Sequence, residues 1–178
     1  MRRLIGVLLA TLVLAACAET PMGPPPPPPP GYVPPPPPPP AFDGYRDSDF
    51  GWSTPAGGGK VVGLLAYKGD ASHYTCQTAV LVPDTPWTRA RMRTLYLSTS
   101  SAEIPSDDVK ARTPREHGEY ARYVRQAPCA AGGHFLFSGL PDGVWYVITV
   151  AAPVGGGVRM AVMHRVETHG DTAHVVLR

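Results

Sequence analysis

Gly133-His134-Phe135-Leu136-Phe137-Ser138-Gly139-Leu140-Pro141-Asp142-Gly143-Val144-Trp145-Tyr146-Val147 decides the reading of this chain. Phe135 and Phe137 stand two apart, so on an extended strand both enter the core from one face. Leu140-Pro141-Asp142-Gly143 interrupts that strand. Pro141 presets the turn, and Gly143 supplies the positive dihedral that closes it. The chain then resumes as a second strand, on which Tyr146, Ile148 and Val150 are expected to line the inner face.

The pattern continues outward in both directions. Residues 60–67 are apolar and end at Lys68-Gly69-Asp70, a turn signal. Residues 78–82 are β-branched and stop at Pro83-Asp84, and further strands are expected at 94–99, 120–126, 134–138, 144–151, 158–167 and 172–177. Strands of this length, with Gly and Pro between them, argue for an all-β sandwich or barrel. The last two read as a hairpin turning at His169-Gly170. In that register Val158, Met160, Val162 and Val166 share a face with Ala173, Val175 and Leu177, while Arg159, Arg165, Glu167, His174 and Arg178 point away. Residues 100–119 read as a long excursion, with a short helix at Ser106–Arg112 that Ser106 could cap.

The opening stretch resembles the signature of carboxypeptidase regulatory-like domains, in which a Gly-x-Phe-x-Phe strand leads into a Leu-Pro-x-Gly turn and an x-Tyr-x-Val strand. Lys60-Val61-Val62-Gly63 and Ala79-Val80-Leu81-Val82-Pro83-Asp84-Thr85 are similar to that family's first two strands. The resemblance covers residues 60–178 and implies a seven-stranded transthyretin-like β-sandwich. It also implies an accessory, binding or structural module with neither catalysis nor a cofactor. A longer segment before Gly133 leaves the topology of residues 86–130 open.

Upstream of this domain the composition changes. Met1-Arg2-Arg3, an apolar run of about eleven residues from Leu4 to Leu14, and small residues make a secretory signal, too short to span a bilayer. Leu14-Ala15-Ala16-Cys17 resembles the lipobox of bacterial lipoproteins. That implies cleavage after residue 16, diacylglycerol on the Cys17 sulfur and an acylated amino group. Ala18 follows, and the resemblance then points to the periplasmic face of the outer membrane. Residues 17–59 read as a lipidated, disordered, proline-rich tether. The runs at 24–30 and 34–40 favour polyproline II, and at about 3.1 Å per residue they make a spacer of roughly 50 Å. A ligand for an aromatic proline-binding groove is the competing reading. Removing Cys17 from the three cysteines leaves Cys76 and Cys129, which an oxidising compartment is expected to join.

The net charge gives no sign of a nucleic-acid partner. Two of the 16 basic residues, Arg2 and Arg3, leave with the signal, so 14 face 14 acidic residues, and no nucleic-acid-binding face is expected. No Gly-x-Ser-x-Gly or His-Glu-x-x-His motif is present. His164 is expected to face inward, His169 to sit at the turn and His174 to face outward, so they do not converge on a metal. One surface motif stands out: Trp87-Thr88-Arg89-Ala90-Arg91-Met92-Arg93. On a strand Arg89, Arg91 and Arg93 share a face beside Trp87, able to bind anionic glycans, lipid headgroups or a protein. The same charges could instead protect an edge strand. The expectation is a non-enzymatic envelope lipoprotein presenting a scaffold or binding module, with an envelope protein or cell-wall glycan as the partner beyond the membrane.

Overall fold

The computed structural model describes residues 44–69, 73–114 and 119–178. The signal 1–16, Cys17 and the proline runs lie outside the described residues. Among the described residues there are nine strands, not seven: β1 (Gly59–Leu65), β2 (Tyr74–Thr75), β3 (Thr78–Pro83), β4 (Ser101–Pro105), β5 (Arg125–Pro128), β6 (His134–Leu140), β7 (Gly143–Pro153), β8 (Met160–Thr168) and β9 (Thr172–Leu177). Two α-helices, α1 (Pro86–Tyr96) and α2 (Ser106–Arg112), and short 3-10 turns complete the β-rich fold.

The strands form two unequal sheets. One runs β6-β1-β9; the other runs β4-β8-β7-β3-β5, with β2 paired to β7. Val61, Leu65, Phe135, Phe137, Val175 and Leu177 of the smaller sheet share one core with Leu81, Trp145, Val147 and Val162 of the larger. A second core, on the far side of the larger sheet, joins Val82, Tyr146, Ala161 and Met163 to Trp87, Met92 and Leu95 of α1 and Val109 of α2. The body is therefore layered as helices, large sheet and small sheet.

The opening stretch folds as expected up to its turn. Phe135 and Phe137 are both buried between the sheets. Gly143 has φ +152°, and a Cβ there would stand 2.2 Å from the Trp52 ring, so the turn excludes a side chain for two reasons. On β7 the expected parity is reversed. Trp145 and Val147 face the core between the sheets, whereas Tyr146 and Ile148 face the helices. A strand covered on both sides has no polar face, so alternation cannot fix its orientation.

Four further expectations are corrected. Residues 158–167 and 172–177 are not a hairpin, since β9 pairs in parallel with β1, and β8 pairs with β7 and β4. Of the residues expected inward, Met160, Val162, Val166, Ala173, Val175 and Leu177 do meet in one core, whereas Val158 precedes β8 and is exposed. The segment at 94–99 is the end of α1, with Leu97 at φ +56° closing it. The segment at 120–126 divides into a 3-10 turn, Tyr120–Tyr123, and the start of β5. The helix at Ser106–Arg112 is present, but Ser106 makes no cap bond and Pro105 precedes the first turn.

The folded body also begins before residue 60. Asp47–Ser53 form a 3-10 turn that straps the domain. Phe50 is fully buried, its ring stacked 4.7 Å from Tyr123, and Trp52 meets Trp145 edge-on at 4.9 Å. The Arg125 guanidinium donates to the Ser53 carbonyl at 2.8 Å. Asp47 accepts from the Tyr123 hydroxyl at 2.7 Å and pairs with Arg122. The Tyr123 bond, then Arg122 and Tyr45, hold the Asp47 carboxyl below its usual range against an opposing desolvation. A depressed carboxyl contributes stability above its unfolded pKa of about 3.9, and that contribution disappears as pH falls through the lower folded value. Urea midpoints measured from pH 6 to pH 2 are therefore expected to fall more steeply in the wild type than in Asp47→Asn; parallel curves would refute the strap's ionic latch.

Cys76 and Cys129 are bonded, with Cα atoms 5.7 Å apart. The bridge joins the approach to β3 with the end of β5, where the Cys129 amide also donates to the Gln77 carbonyl at 2.9 Å.

Candidate functional site

The residues singled out around Trp87 do not form a binding face, because the segment is helical. Thr85 caps α1 by accepting from the Thr88 amide at 3.1 Å, the Thr88 hydroxyl accepts in return from the Thr85 amide at 2.7 Å, and Pro86 occupies the first turn. A period of 3.6 then separates the arginines. Trp87 is 4 % exposed, and Arg91, 5 % exposed, lies over the Trp87 and Tyr120 rings at 5.7 and 5.6 Å. Arg89 donates to Asp84 through Nε and Nη2, both at 3.1 Å. Arg165 of β8 donates to the same carboxylate at 2.9 Å. Asp84 is fully buried in its side chain, so this is an internal clasp between β3, α1 and β8. Arg89 and Arg93 are exposed, but Arg89 is held by Asp84 and Arg91 is buried between them, so the three share no open face.

A groove lies elsewhere, where the sheets differ in width. The larger sheet extends beyond β9 by β4, leaving a cleft of about 490 Å³ lined by Ser101, Glu103, Val162, His164, Val176 and Arg178 among others. The β4–β8 register explains its floor. Ser101 stands opposite His164 and Glu103 opposite Val162, while Ala102 and Ile104, on the other face, pack toward the helices. The Ser101 and His164 pair lies between hydrogen-bonded pairs, where Cα atoms approach to roughly 4.5 Å and side chains crowd together. His164 thus projects to the inter-sheet side as expected, but it is exposed in the groove and not a core histidine.

The polar groups of this groove are available. Among the described residues, the side chains of Ser101, His164 and Arg178 make no hydrogen bond or ion pair. Glu103 sits beside the Tyr67 hydroxyl, whose pKa is raised first by burial and then by the Glu103 charge. The set combines a hydroxyl, a carboxylate, an imidazole and a guanidinium with the exposed aliphatic surface of Val176. Planar polar groups beside a small apolar patch suit a polyhydroxylated ligand, whose hydroxyls both donate and accept. No local motif marked these residues, because they meet only through the sheet register and the overhang.

A second cavity, of about 350 Å³, lies between α1, α2 and the larger sheet and is mostly apolar, with Met92, Leu95, Val109 and Ile148 in its wall. Burial there pushes the Tyr96 hydroxyl up to about 12. Among the described residues no group of three or more His, Cys, Asp or Glu side chains could hold a metal ion, and no helix is long and apolar enough to cross a membrane.

This architecture is shared with a solved structure. It is the crystal structure of a "putative carbohydrate binding protein" from Pseudomonas aeruginosa, superimposing with a TM-score of 0.52 at 17 % identity over 75 % of this chain and 96 % of that one. The likeness is one of fold. No protein-family model and no curated protein matches the sequence.

Proposed function

We propose that the chain is a non-enzymatic, lipid-anchored protein of the cell envelope whose β-rich body binds glycan in the groove between β4 and β9. The groove carries this reading: four polar side chains of complementary type converge on a cleft of ligand size, and three of them are unengaged. The "putative carbohydrate binding protein" of the same fold is consistent with it. The leader and Leu14-Ala15-Ala16-Cys17 support export and acylation at Cys17, with Ala18 favouring the outer membrane. The two proline runs then act as the stalk. In finer terms we read the body as a transthyretin-like sandwich, enlarged by β2, β4 and the helical layer. The glycan surface accordingly moves from Trp87 and the arginines of α1 to the groove.

Two measurements test the two halves. Mass spectrometry of the natural product is expected to find an acylated N-terminal Cys17, and Cys17→Ala to leave the leader uncleaved; an acyl-free mature chain would sink the anchor. Pull-down on purified peptidoglycan is expected to retain the wild type and Arg93→Ala equally, while His164→Ala combined with Arg178→Ala loses at least tenfold in affinity. A lost charged hydrogen bond costs about 1.5–3 kcal/mol, so the loss of the Arg178 bond alone accounts for about tenfold. Equal retention of the double variant would remove the groove from the reading.

A further inference from the structure

We infer that the groove takes a glycan built from N-acetylated amino sugars, its acetamido groups docking on the bare strand edges; this rests on the glycan reading above. The argument begins with main-chain groups. Among the described residues β9 has β1 as its only strand neighbour, and β4 has only β8. The Asp171 and Leu177 carbonyls accept from the Lys60 and Ala66 amides at 2.9 and 2.8 Å. Bonding to a parallel neighbour falls on alternate residues, so Ala173 and Val175 also face β1, and the N–H and C=O of His174 and Val176 face away from it. On β4 the Ser100 carbonyl accepts from Arg165 at 2.7 Å and the Ser106 amide donates to Arg159 at 2.8 Å. The same alternation turns the main-chain groups of Ser101 and Glu103 away from β8. Pro105, which lacks an N–H, is tolerated there because the strand is an edge.

Among the described residues the β9 bank of the groove thus carries peptide donors and acceptors without a strand partner, and the bare edge of β4 forms the outer rim of its floor. An acetamido group is itself a secondary amide, with one N–H and one C=O in the same planar geometry as the edge it meets. Its methyl is small enough for the exposed Val176 surface. A glycan carrying only hydroxyls lacks that fixed donor and acceptor pair and leaves the edge amides to water. An extended peptide could pair with one edge, but it would leave the Ser101, His164 and Arg178 side chains without ligand hydroxyls to meet.

Chitotetraose, cellotetraose and a short valine-rich peptide, each titrated into the full mature chain in detergent and followed by amide resonances, separate the cases. Chitotetraose is expected to shift the His174, Val176, Ser101 and Glu103 amides, with cellotetraose at least tenfold weaker. Val176→Pro deletes one groove-facing N–H and keeps the bonds to β1, so it is expected to lose at least tenfold in chitotetraose affinity at an unchanged melting temperature. If that variant unfolds, the wild-type amide shifts decide alone. Equal binding of the two tetrasaccharides would overturn the acetamido inference and leave the glycan reading standing. Silence from both would end the two together, and preference for the peptide would overturn the inference in favour of strand addition.

Discussion

Phe50→Ala is expected to lower the stability of the domain by about 3–5 kcal/mol, read as a shift in the urea midpoint at constant slope. The residue lies in a stretch whose composition resembles a linker, yet its side chain is fully buried. Around it stand Tyr45, Trp87, Tyr120 and Tyr123, with ring centroids 5.3, 6.3, 6.0 and 4.7 Å away. Truncation leaves a ring-sized void that these aromatic neighbours, themselves pinned by the helices and by Asp47, cannot close. A change within about 0.5 kcal/mol, the value expected of an exposed linker position, would return residues 44–58 to the tether. Domain fragments that start at residue 60 fail for the same reason, since they omit both Phe50 and Trp52.

Joint replacement of Cys76 and Cys129 by serine is expected to cost about 4 kcal/mol, the loop-closure value for a separation of 53 residues. The bridge acts chiefly on the unfolded chain, because it holds together two segments that only the complete larger sheet would otherwise align. The check is a comparison of urea midpoints for the oxidised wild type, the reduced wild type and the double serine variant. Coincident curves for all three would show that the native contacts alone hold the β3 and β5 edge.

The sequence carried the inward-facing residues better than it carried the neighbours. Alternation on residues 160–166 and 173–177 named the side chains that reach the core, and those side chains do meet there. It could not distinguish two strands paired edge to edge from two strands facing each other across the core, because both arrangements bury the same set. α1 was misread for a related reason. Arg89, Arg91 and Arg93 follow a period of two, but Asp84-Thr85-Pro86 just upstream is a helix start, and Trp87, Arg91 and Leu95 recur at four. The capping signal was legible and was outweighed by the charge pattern. β4 was hidden within residues 100–119 because an edge strand with Glu103 and Pro105 looks like a loop. The groove depends on that strand, so it was not legible either.

β7 is the wall common to both interiors, and its consecutive residues Trp145 and Tyr146 anchor opposite sides of it. Neither the helices nor the smaller sheet can come loose without baring one flank of that shared partition. The three layers are therefore thermodynamically one cooperative unit, and damage in any of them is felt across the whole body.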